Sequence, residues 1–258
     1  MQSSEENYPR ISIITVVYND VTNILETIKS VRNQTYKNIE YIIIDGDSDD
    51  GTKELIQSNL EFIDFLKSEP DNGIYDAINK GIRVATGDYV GFLHCGDLFS
   101  DKYVITKVAD EILRERTDAV FADVDIVDAK DTNIVIRHYS GKNFSKWKLR
   151  IGAAPPHPSL YCRREIYTRI GLYKTNYRVS SDYEMIVRMF IVNKISYSYM
   201  NFSMVKMRVG GESNNGIIGQ FQQNLEIIDA AKSNKLYTNI FLVFMKLPLR
   251  LLQYIFRS

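Results

Sequence analysis

The sequence has few of the residues that build disulfide frameworks or structural zinc sites. It contains two cysteines, Cys95 and Cys162, which lack a CxxC spacing, and three histidines. Disulfide-rich secreted domains and structural zinc sites need more of these residues at closer spacings. The cysteine content therefore predicts a reducing compartment, and we expect a cytoplasmic protein.

The chain also lacks an excess of charge of either sign. Lys and Arg total 32 and Asp and Glu total 32 among 258 residues. Because nucleic-acid binding depends on a basic field that neutralises phosphates, we expect no nucleic-acid partner. The N-terminal stretch "MQSSEENYPR" has no apolar segment of the kind found in signal peptides. Residues 1–9 are predicted to be a disordered leader.

Two glycine-rich nucleotide-binding motifs are missing as well. No GxGxxG follows the first apolar run, and GxxxxGK[ST] does not occur. Their absence argues against a Rossmann dehydrogenase and a P-loop enzyme. A nucleotide bound by this chain must instead be held by side chains and a metal ion.

The sequence does contain a regular alternation of apolar strands with helical segments. "ISIITVVY", "IEYIIID", "EFIDFLKS" and "GDYVGFLH" are typical of buried strands. The alternation predicts an α/β fold with a doubly wound, mostly parallel sheet flanked by helices. We expect one domain over residues 10–235, with a nucleotide half at 10–100 and an acceptor half at 101–235. The acceptor half is predicted to contain a hairpin, a strand feeding a helix, and a late strand pair in "KISYSYMNFSMVKMRV".

Polar residues follow each predicted strand of the nucleotide half. Tyr18 and Asn19 follow the first strand, Asp45 ends the second, "EPDNG" follows the third, and Asp97 comes soon after the fourth. Doubly wound sheets bind ligands beyond the carboxyl ends of their strands, so we expect these groups to converge. Asp45 also begins the stretch "DGDSDDGT", which is equally typical of a turn and a helix cap.

The late stretch "NYRVSSDYEMIVRMFIV" leaves two interpretations of Asp182 open. A carboxylate at the start of a helix either accepts bonds from first-turn amides or acts as a catalytic base. Glu184 lies two residues further on and is the weaker candidate for a base. Arg188 is expected to pair with Glu184, because the two are four residues apart.

Five stretches together resemble the family 2 inverting glycosyltransferases of GT-A fold, which build bacterial surface polysaccharides. They are "ISIITVVYN", "IEYIIIDGDSDDGT", "EPDNGIYDAINKGI", "GDYVGFLHCGD" and "HPSLYCRREIYTRIGLYKTNYRVSSDYEMIVR". The resemblance implies transfer of a hexose from a nucleotide diphosphate sugar, UDP-linked, to a hydroxyl of a saccharide or lipid-linked acceptor. The alternatives are a sugar nucleotidyltransferase, which would normally show a glycine-rich first loop, and a catalytically silent nucleotide-sugar-binding module.

The same resemblance implies roles for individual residues. Asp182 matches the catalytic base, which takes the proton of the acceptor hydroxyl. Asp97 matches the acidic motif that binds Mg²⁺ or Mn²⁺, although "HCGD" offers one carboxylate where many relatives have two or three. His94 is either a further ligand or an ordinary strand-end histidine, and His157 is either an acceptor-side contact or a loop histidine. The residues implied on the donor side are Thr15, Tyr18, Asn19 and Asp45 around the base and ribose, with Asp71 and Lys80.

The C-terminal stretch "NIFLVFMKLPLRLLQYIFRS" combines apolar residues with a basic stripe. Lys246, Arg250 and Arg257 fall on one helical face with Gln253. The stretch has no uninterrupted run of ~20 apolar residues, so it is not expected to cross a bilayer. Residues 236–258 are predicted to form an amphipathic helical tail. It either lies on the inner surface of the cytoplasmic membrane or packs on its own domain or on a second copy of it.

Overall fold

The computed structural model describes residues 8–210 and 216–244 of the chain. Its strands are β1 Ile11–Val17, β2 Ile39–Asp45, β3 Phe65–Ser68, β4 Tyr89–Phe92, β5 Leu98–Phe99, β6 Ala119–Val127, β7 Val135–Tyr139, β8 Tyr161–Arg163 and β9 Tyr197–Arg208. Its helices are α1 Ile24–Arg32, α2 Thr52–Gln57, α3 Ile74–Val84, α4 Val104–Glu115, α5 Arg164–Ile170, α6 Ser181–Val187, α7 Gly216–Ser233 and α8 Ile240–Phe244. Short 3₁₀ helices lie at Leu60–Phe62, Lys146–Ile151 and His157–Ser159, and a π-helical segment, Arg188–Val192, extends α6.

The predicted nucleotide half, residues 10–100, contains a parallel sheet in which β1 lies between β2 and β4. β1 pairs in parallel with β2 on one side and with β4 on the other, and β3 pairs in parallel with β2. Every residue of β1 is buried, because α3 covers one face of the sheet while α1 and α4 cover the other. The predicted α/β fold is confirmed.

The predicted acceptor half, residues 101–235, has mixed strand directions. The strand order is β3-β2-β1-β4-β8-β6-β9-β5, and β7 pairs with β6 outside this path. β8 runs antiparallel to β4 and β6, whereas β6 and β9 are parallel. The predicted hairpin is β6 with β7, and the predicted strand feeding a helix is β8 with α5.

The predicted late strand pair is wrong, because its residues form the single strand β9. The pairing of β9 with β6 contains a register shift. Ala122 of β6 pairs with Met200, but the next residue, Asp123, pairs with Ser203. A bulge adds residues without reversing the strand direction, so the sequence pattern resembled two strands.

Residues 8–9 and 236–244, which lie at the two ends of the described ranges, contact the rest of the domain. Tyr8 and Pro9 are fastened to the domain, since Tyr36 Oη donates to the Pro9 carbonyl (2.6 Å) and Asn38 Nδ2 to the Tyr8 carbonyl (3.0 Å). The disordered-leader prediction is therefore wrong for these two residues, and residues 1–7 lie outside the described ranges. Leu236 and Val243 are buried in the core, so residues 236–244 pack on the domain.

The remainder of the predicted tail, residues 245–258 with its basic stripe, lies outside the described residues. No helix within the described ranges is long and apolar enough to cross a membrane.

A buried ionic network fixes α6 against its neighbours. The Glu184 side chain is fully buried and accepts hydrogen bonds from Arg188 Nε (2.8 Å) and Asn234 Nδ2 (3.0 Å). Lys174 Nζ lies 3.0 Å from the same carboxylate. The Arg188 guanidinium also donates to the carbonyls of Ile170, Gly171 and Leu172. The predicted Glu184–Arg188 pair is confirmed, and it joins α6 to the ends of α5 and α7.

We expect Arg188→Met to lower the free energy of unfolding by about 3–5 kcal/mol, because removing one member of a buried ion pair leaves the other poorly compensated. Urea denaturation measures the change. The matched control is Arg114→Met, which breaks an i,i+3 pair with Glu111 whose arginine is 68% exposed. That loss should stay below about 1 kcal/mol. Equal losses in the two variants would contradict a structural role for the buried network.

Candidate active site

The carboxyl ends of the parallel strands meet at one edge of the sheet. Val17, the last residue of β1, pairs with Asp45, and Asp45 pairs with Ser68 at the end of β3. β4 lies on the other side of β1 and leads into His94 and Asp97. The structure thus brings together the strand-end residues that the sequence singled out. We call this region the strand-end edge.

Asp45 fastens the turns at the strand-end edge. Its side chain is fully buried and accepts hydrogen bonds from Ser48 Oγ (2.5 Å) and Ser68 Oγ (2.6 Å). The Ser48 backbone amide also donates to it (3.2 Å). This geometry matches the turn-building interpretation. Direct contact between Asp45 and a nucleotide remains a prediction.

A narrow gap between Tyr18 and Asp71 lies over Gly46. A Cβ atom added to Gly46 would lie 2.8 Å from Asp71 Oδ2 and 3.2 Å from Tyr18 Cδ2. Tyr18 is 66% exposed, so its ring is available to a ligand. Asp71 is oriented by the Gly73 amide, which donates to its Oδ1 (2.8 Å). Gly46 was missed in the sequence because a glycine after a strand indicates only a turn.

Asn19 and Lys80 bond to the loops of the strand-end edge. Asn19 adopts a left-handed conformation (φ 49°) and exchanges two hydrogen bonds with Asp49 (3.0 and 2.9 Å). Lys80 Nζ donates to the Pro70 carbonyl (2.8 Å) and lies 3.1 Å from Glu69 Oε1. Both residues therefore hold the loops that carry Tyr18 and Asp71.

Thr15 does not reach the strand-end edge. Its side chain is fully buried, donates to the Leu93 carbonyl (2.7 Å) and lies 3.1 Å from Tyr41 Oη. The expectation that Thr15 contacts the nucleotide is therefore corrected, because its hydroxyl is used inside the sheet.

Asp97 is a buried carboxylate at the end of the β4 segment. It is 6% exposed, and burial raises its pKa to about 8 despite the opposing effect of Arg208. The preceding Gly96 has a φ of 90°, and a Cβ atom there would lie 3.7 Å from Asp20 Oδ2. Asp20 is thus a second carboxylate near the turn, and the sequence did not reveal it because its closeness to Gly96 depends on the pairing of β1 with β4. The buried Nδ1 of His94 has no hydrogen-bond partner among the described residues.

These groups suit a cation that arrives with a phosphate ligand. Mg²⁺ is commonly held by one or two carboxylates together with substrate phosphates. A desolvated carboxylate such as that of Asp97 gains most from a bound positive charge. Among residues 8–210 and 216–244, no group of three His, Cys, Asp or Glu side chains is arranged to hold a metal ion by itself.

Asp182 lies in the first turn of α6 and is largely buried. Its Oδ1 accepts a hydrogen bond from the Tyr183 amide (2.7 Å), so one oxygen does bond a first-turn amide. Its pKa is raised to about 6, chiefly by burial and also by the charge of Glu226, while hydrogen bonds from backbone amides and from the Tyr75 hydroxyl act in the opposite direction. A carboxylate whose pKa lies close to neutrality is suited to take up a proton and release it again.

His157 is buried and contacts other side chains near the site. It is 9% exposed, packs 5.3 Å from the Phe92 ring, and its Nε2 lies 2.8 Å from Tyr173 Oη. Burial lowers the pKa of His157 to about 3, so its imidazole is neutral. Tyr173 in turn stacks on Tyr75 (6.1 Å). The structure favours the loop-histidine interpretation, with His157 linked to Asp182 through two tyrosines.

A cleft of about 230 Å³ lies between the start of α3 and the segment that precedes α6. One wall is formed by Asn72, Gly73 and the first residues of α3, including Tyr75, and the other by residues 175–178. Tyr75 belongs to both the cleft and the surroundings of Asp182. Because α3 begins directly after the loop that carries Asp71, the cleft adjoins the strand-end edge.

We expect Gly46→Ala to weaken nucleotide binding, because the added methyl group must displace Asp71 or Tyr18. Calorimetric titration with UDP and GDP measures the loss. Thermal unfolding of the same variant serves as the control and should change little, since the displaced groups lie at the surface. An unchanged affinity would remove the Tyr18–Asp71 gap from the nucleotide site.

Comparison with known proteins identifies the family of the chain. Residues 12–171 match the family model described as Glycosyl transferase family 2. A PGL/p-HBAD biosynthesis glycosyltransferase of Mycobacterium bovis is 28% identical over 222 residues, which cover 84% of this chain and 84% of that protein.

Two solved structures share the fold. The S. aureus TarS 1–349 structure in complex with UDP has a TM-score of 0.61 at 15% identity, over 85% of this chain and 66% of that one. The mannosyltransferase PcManGT from Pyrobaculum calidifontis, in complex with GDP-Man and Mn²⁺, has a TM-score of 0.66 at 17% identity. It is matched over 97% of this chain and 74% of that one. Since the family model covers more than half of the sequence, the chain belongs to glycosyltransferase family 2 and has the GT-A fold.

Proposed function

We propose that the protein transfers a hexose from a nucleotide diphosphate sugar, UDP-linked, to a hydroxyl of a saccharide or lipid-linked acceptor. The observation that carries the proposal is the position of Asp182. It is a desolvated carboxylate with a pKa of about 6, and it shares Tyr75 with the cleft beside the strand-end edge. Family membership and the nucleotide-bound relatives support a nucleotide-sugar donor.

In the proposed reaction Asp182 accepts the proton of the acceptor hydroxyl while the hydroxyl oxygen attacks the anomeric carbon. The bond from that carbon to the diphosphate oxygen breaks, and the nucleoside diphosphate leaves. Attack opposite to the leaving group inverts the anomeric centre. Asp182 must be ionised to act, so turnover should fall as the pH drops through about 6. Tyr18 and Asp71 are proposed to hold the donor on the other side of the sugar.

The proposed cofactor is Mg²⁺ or Mn²⁺, held by Asp97 and by the phosphates of the donor, with Asp20 close by. Such a cation would stabilise the negative charge that develops on the leaving diphosphate. The buried, weakly compensated carboxylate of Asp97 supports this assignment. PcManGT, whose structure contains Mn²⁺ with GDP-Man, is a precedent within the fold.

We place the reaction in the biosynthesis of cell-surface polysaccharide. A relative that is named as a biosynthetic glycosyltransferase, for PGL/p-HBAD, supports a biosynthetic role. The proposed location is the inner surface of the cytoplasmic membrane, through the C-terminal residues. Phe241 is 81% exposed and Phe244 is 39% exposed. The sequence beyond them adds Lys246, Arg250 and Arg257, which suit anionic lipid headgroups.

Asp182→Asn is expected to slow sugar transfer by roughly 10²–10⁴-fold, because it removes the proton acceptor while nearly preserving its size. Acceptor-dependent nucleotide release, screened over a panel of nucleotide sugars, measures the rate. Donor affinity, measured by calorimetry, should change little. Near-normal transfer by this variant would restore a purely structural role for Asp182. Donor binding without any turnover by the wild type would favour a silent binding module.

Asp97→Ala is expected to abolish the effect of divalent metal on donor binding. Donor titrations with Mg²⁺, with Mn²⁺ and with a chelator measure this effect in the wild type and in the variant. Asp118→Ala is a control for loss of a carboxylate, since Asp118 pairs with Arg163 away from the strand-end edge. Equal donor affinity and turnover of the wild type in chelator would overturn the metal assignment.

The full-length protein is expected to co-sediment with vesicles that contain anionic lipid. Truncation after Phe244 should release it while transfer to a water-soluble acceptor persists, because the packed residues 236–244 are retained. Neutral vesicles provide the control. Equal sedimentation of the two proteins would show that residues 245–258 do not bind the membrane.

A further inference from the structure

Three consecutive backbone amides, in the segment just before α6, donate hydrogen bonds to one carboxylate. Glu226, in the middle of α7, accepts hydrogen bonds from the amides of Arg178, Val179 and Ser180, each at 3.0 Å. We call this arrangement the Glu226 clamp. Bonds to an ionised acceptor are roughly twice as strong as those between neutral groups, so the clamp restrains the backbone firmly.

The restrained segment borders two parts of the site. Residues 175–178 form one wall of the cleft beside Tyr75, and Ser180 directly precedes the first turn of α6 that contains Asp182. The clamp itself rests on a rigid support, because Ile227, Ala230 and Ala231 on α7 are buried in the core. A displacement of the clamp would therefore move both the cleft wall and the carboxylate.

We propose that Glu226 is a positioning residue for sugar transfer, which holds residues 178–180 so that Asp182 is presented to the acceptor hydroxyl. The inference rests on the proposed function of Asp182 as the base. It assigns a reaction role to a helix that is distant in sequence from the base and lies beyond the matched family segment, residues 12–171.

The charge of Glu226 gives the clamp a second effect, which a purely structural bond would not have. The groups that act on the Asp182 carboxyl from neighbouring elements are Tyr75 of α3, the Tyr183 amide of α6 and Glu226 of α7. The Tyr173 hydroxyl, from the loop after α5, also interacts with Asp182. Of these side chains Glu226 carries the negative charge, and it raises the pKa of Asp182. Removing that charge should lower the pH at which Asp182 titrates.

Glu226 and Asp229 offer a matched comparison on the same helix. Asp229 lies three residues further along α7 and accepts a hydrogen bond from Tyr177 Oη (2.7 Å). It thus anchors the same loop by a side chain, but it does not bond the amides next to α6. Three variants separate the effects. Glu226→Gln removes the charge of the clamp, and Glu226→Asp keeps the charge but shortens the side chain. Asp229→Asn changes only the anchoring of the loop through Tyr177.

The test combines a titration that needs no substrate with a rate measurement. Carboxyl-¹³C NMR of aspartate-labelled protein follows Asp182, identified by the signal lost in Asp182→Asn. The titration midpoint should lie near 6 in the wild type, move to lower pH in Glu226→Gln, and stay unchanged in Asp229→Asn. In the transfer assay Glu226→Gln and Glu226→Asp should lose roughly 10–100-fold in kcat, because small misplacements of a reacting group have effects of that size. Asp229→Asn should retain its kcat.

Wild-type kcat in Glu226→Gln or in the shorter Glu226→Asp would overturn the positioning role, whatever the NMR midpoints. An unchanged Asp182 midpoint in Glu226→Gln would overturn the effect of its charge. Both outcomes can be distinguished from failure of the proposed function. If Asp182 is not the base, the Asp182→Asn variant itself will transfer sugar at a normal rate. If Glu226→Gln does not fold, Glu226→Asp decides the positioning role alone, because it keeps the charge and shortens the reach of the clamp.

Discussion

The parallel pairing of β1 with both β2 and β4 is the constraint on which the rest of the structure depends. It places the carboxyl ends of these strands at the same edge, so that the residues after each strand become neighbours without any sequence motif to join them. The polar groups then have to satisfy one another. Asp45 does so by bonding Ser48 and Ser68, and the gap between Tyr18 and Asp71 lies over the neighbouring Gly46.

The second half of the chain holds the Asp182 carboxylate by a different means. α6 is not tied to a parallel strand end; it is held by charged side chains whose partners come from several elements. Glu184 binds Arg188, Lys174 and Asn234 on the buried side, and Glu226 binds the amides ahead of the helix. Asp182 lies between these two attachments. Its burial, which raises its pKa, follows from the same packing.

Local patterns in the sequence predicted the parts of the structure that depend on local physics. Alternation of strands and helices predicted the parallel half, and four-residue spacing predicted the Glu184–Arg188 pair. Patterns failed where the cause was not local. The bulge in β9 is set by its pairing with β6, Asp20 lies close to Gly96 only because β1 and β4 are adjacent, and the Glu226 clamp joins segments far apart in the chain. The expectation for Thr15 failed because a resemblance in sequence gives the position of a residue along a strand. It does not show whether the side chain is exposed to solvent or, as here, donates to a backbone carbonyl of a neighbouring segment.

A crystal structure of the protein with a bound nucleoside diphosphate and Mg²⁺ or Mn²⁺ would test the central claim most directly, namely that the strand-end edge is the donor site and Asp182 faces it. The account predicts the nucleotide at the Tyr18–Asp71 gap, the diphosphate directed to Asp97, and the Asp182 carboxyl across the cleft from the terminal phosphate, with room for a sugar between them. A nucleotide bound away from the Tyr18–Asp71 gap, or an Asp182 carboxyl turned away from the terminal phosphate, would contradict it.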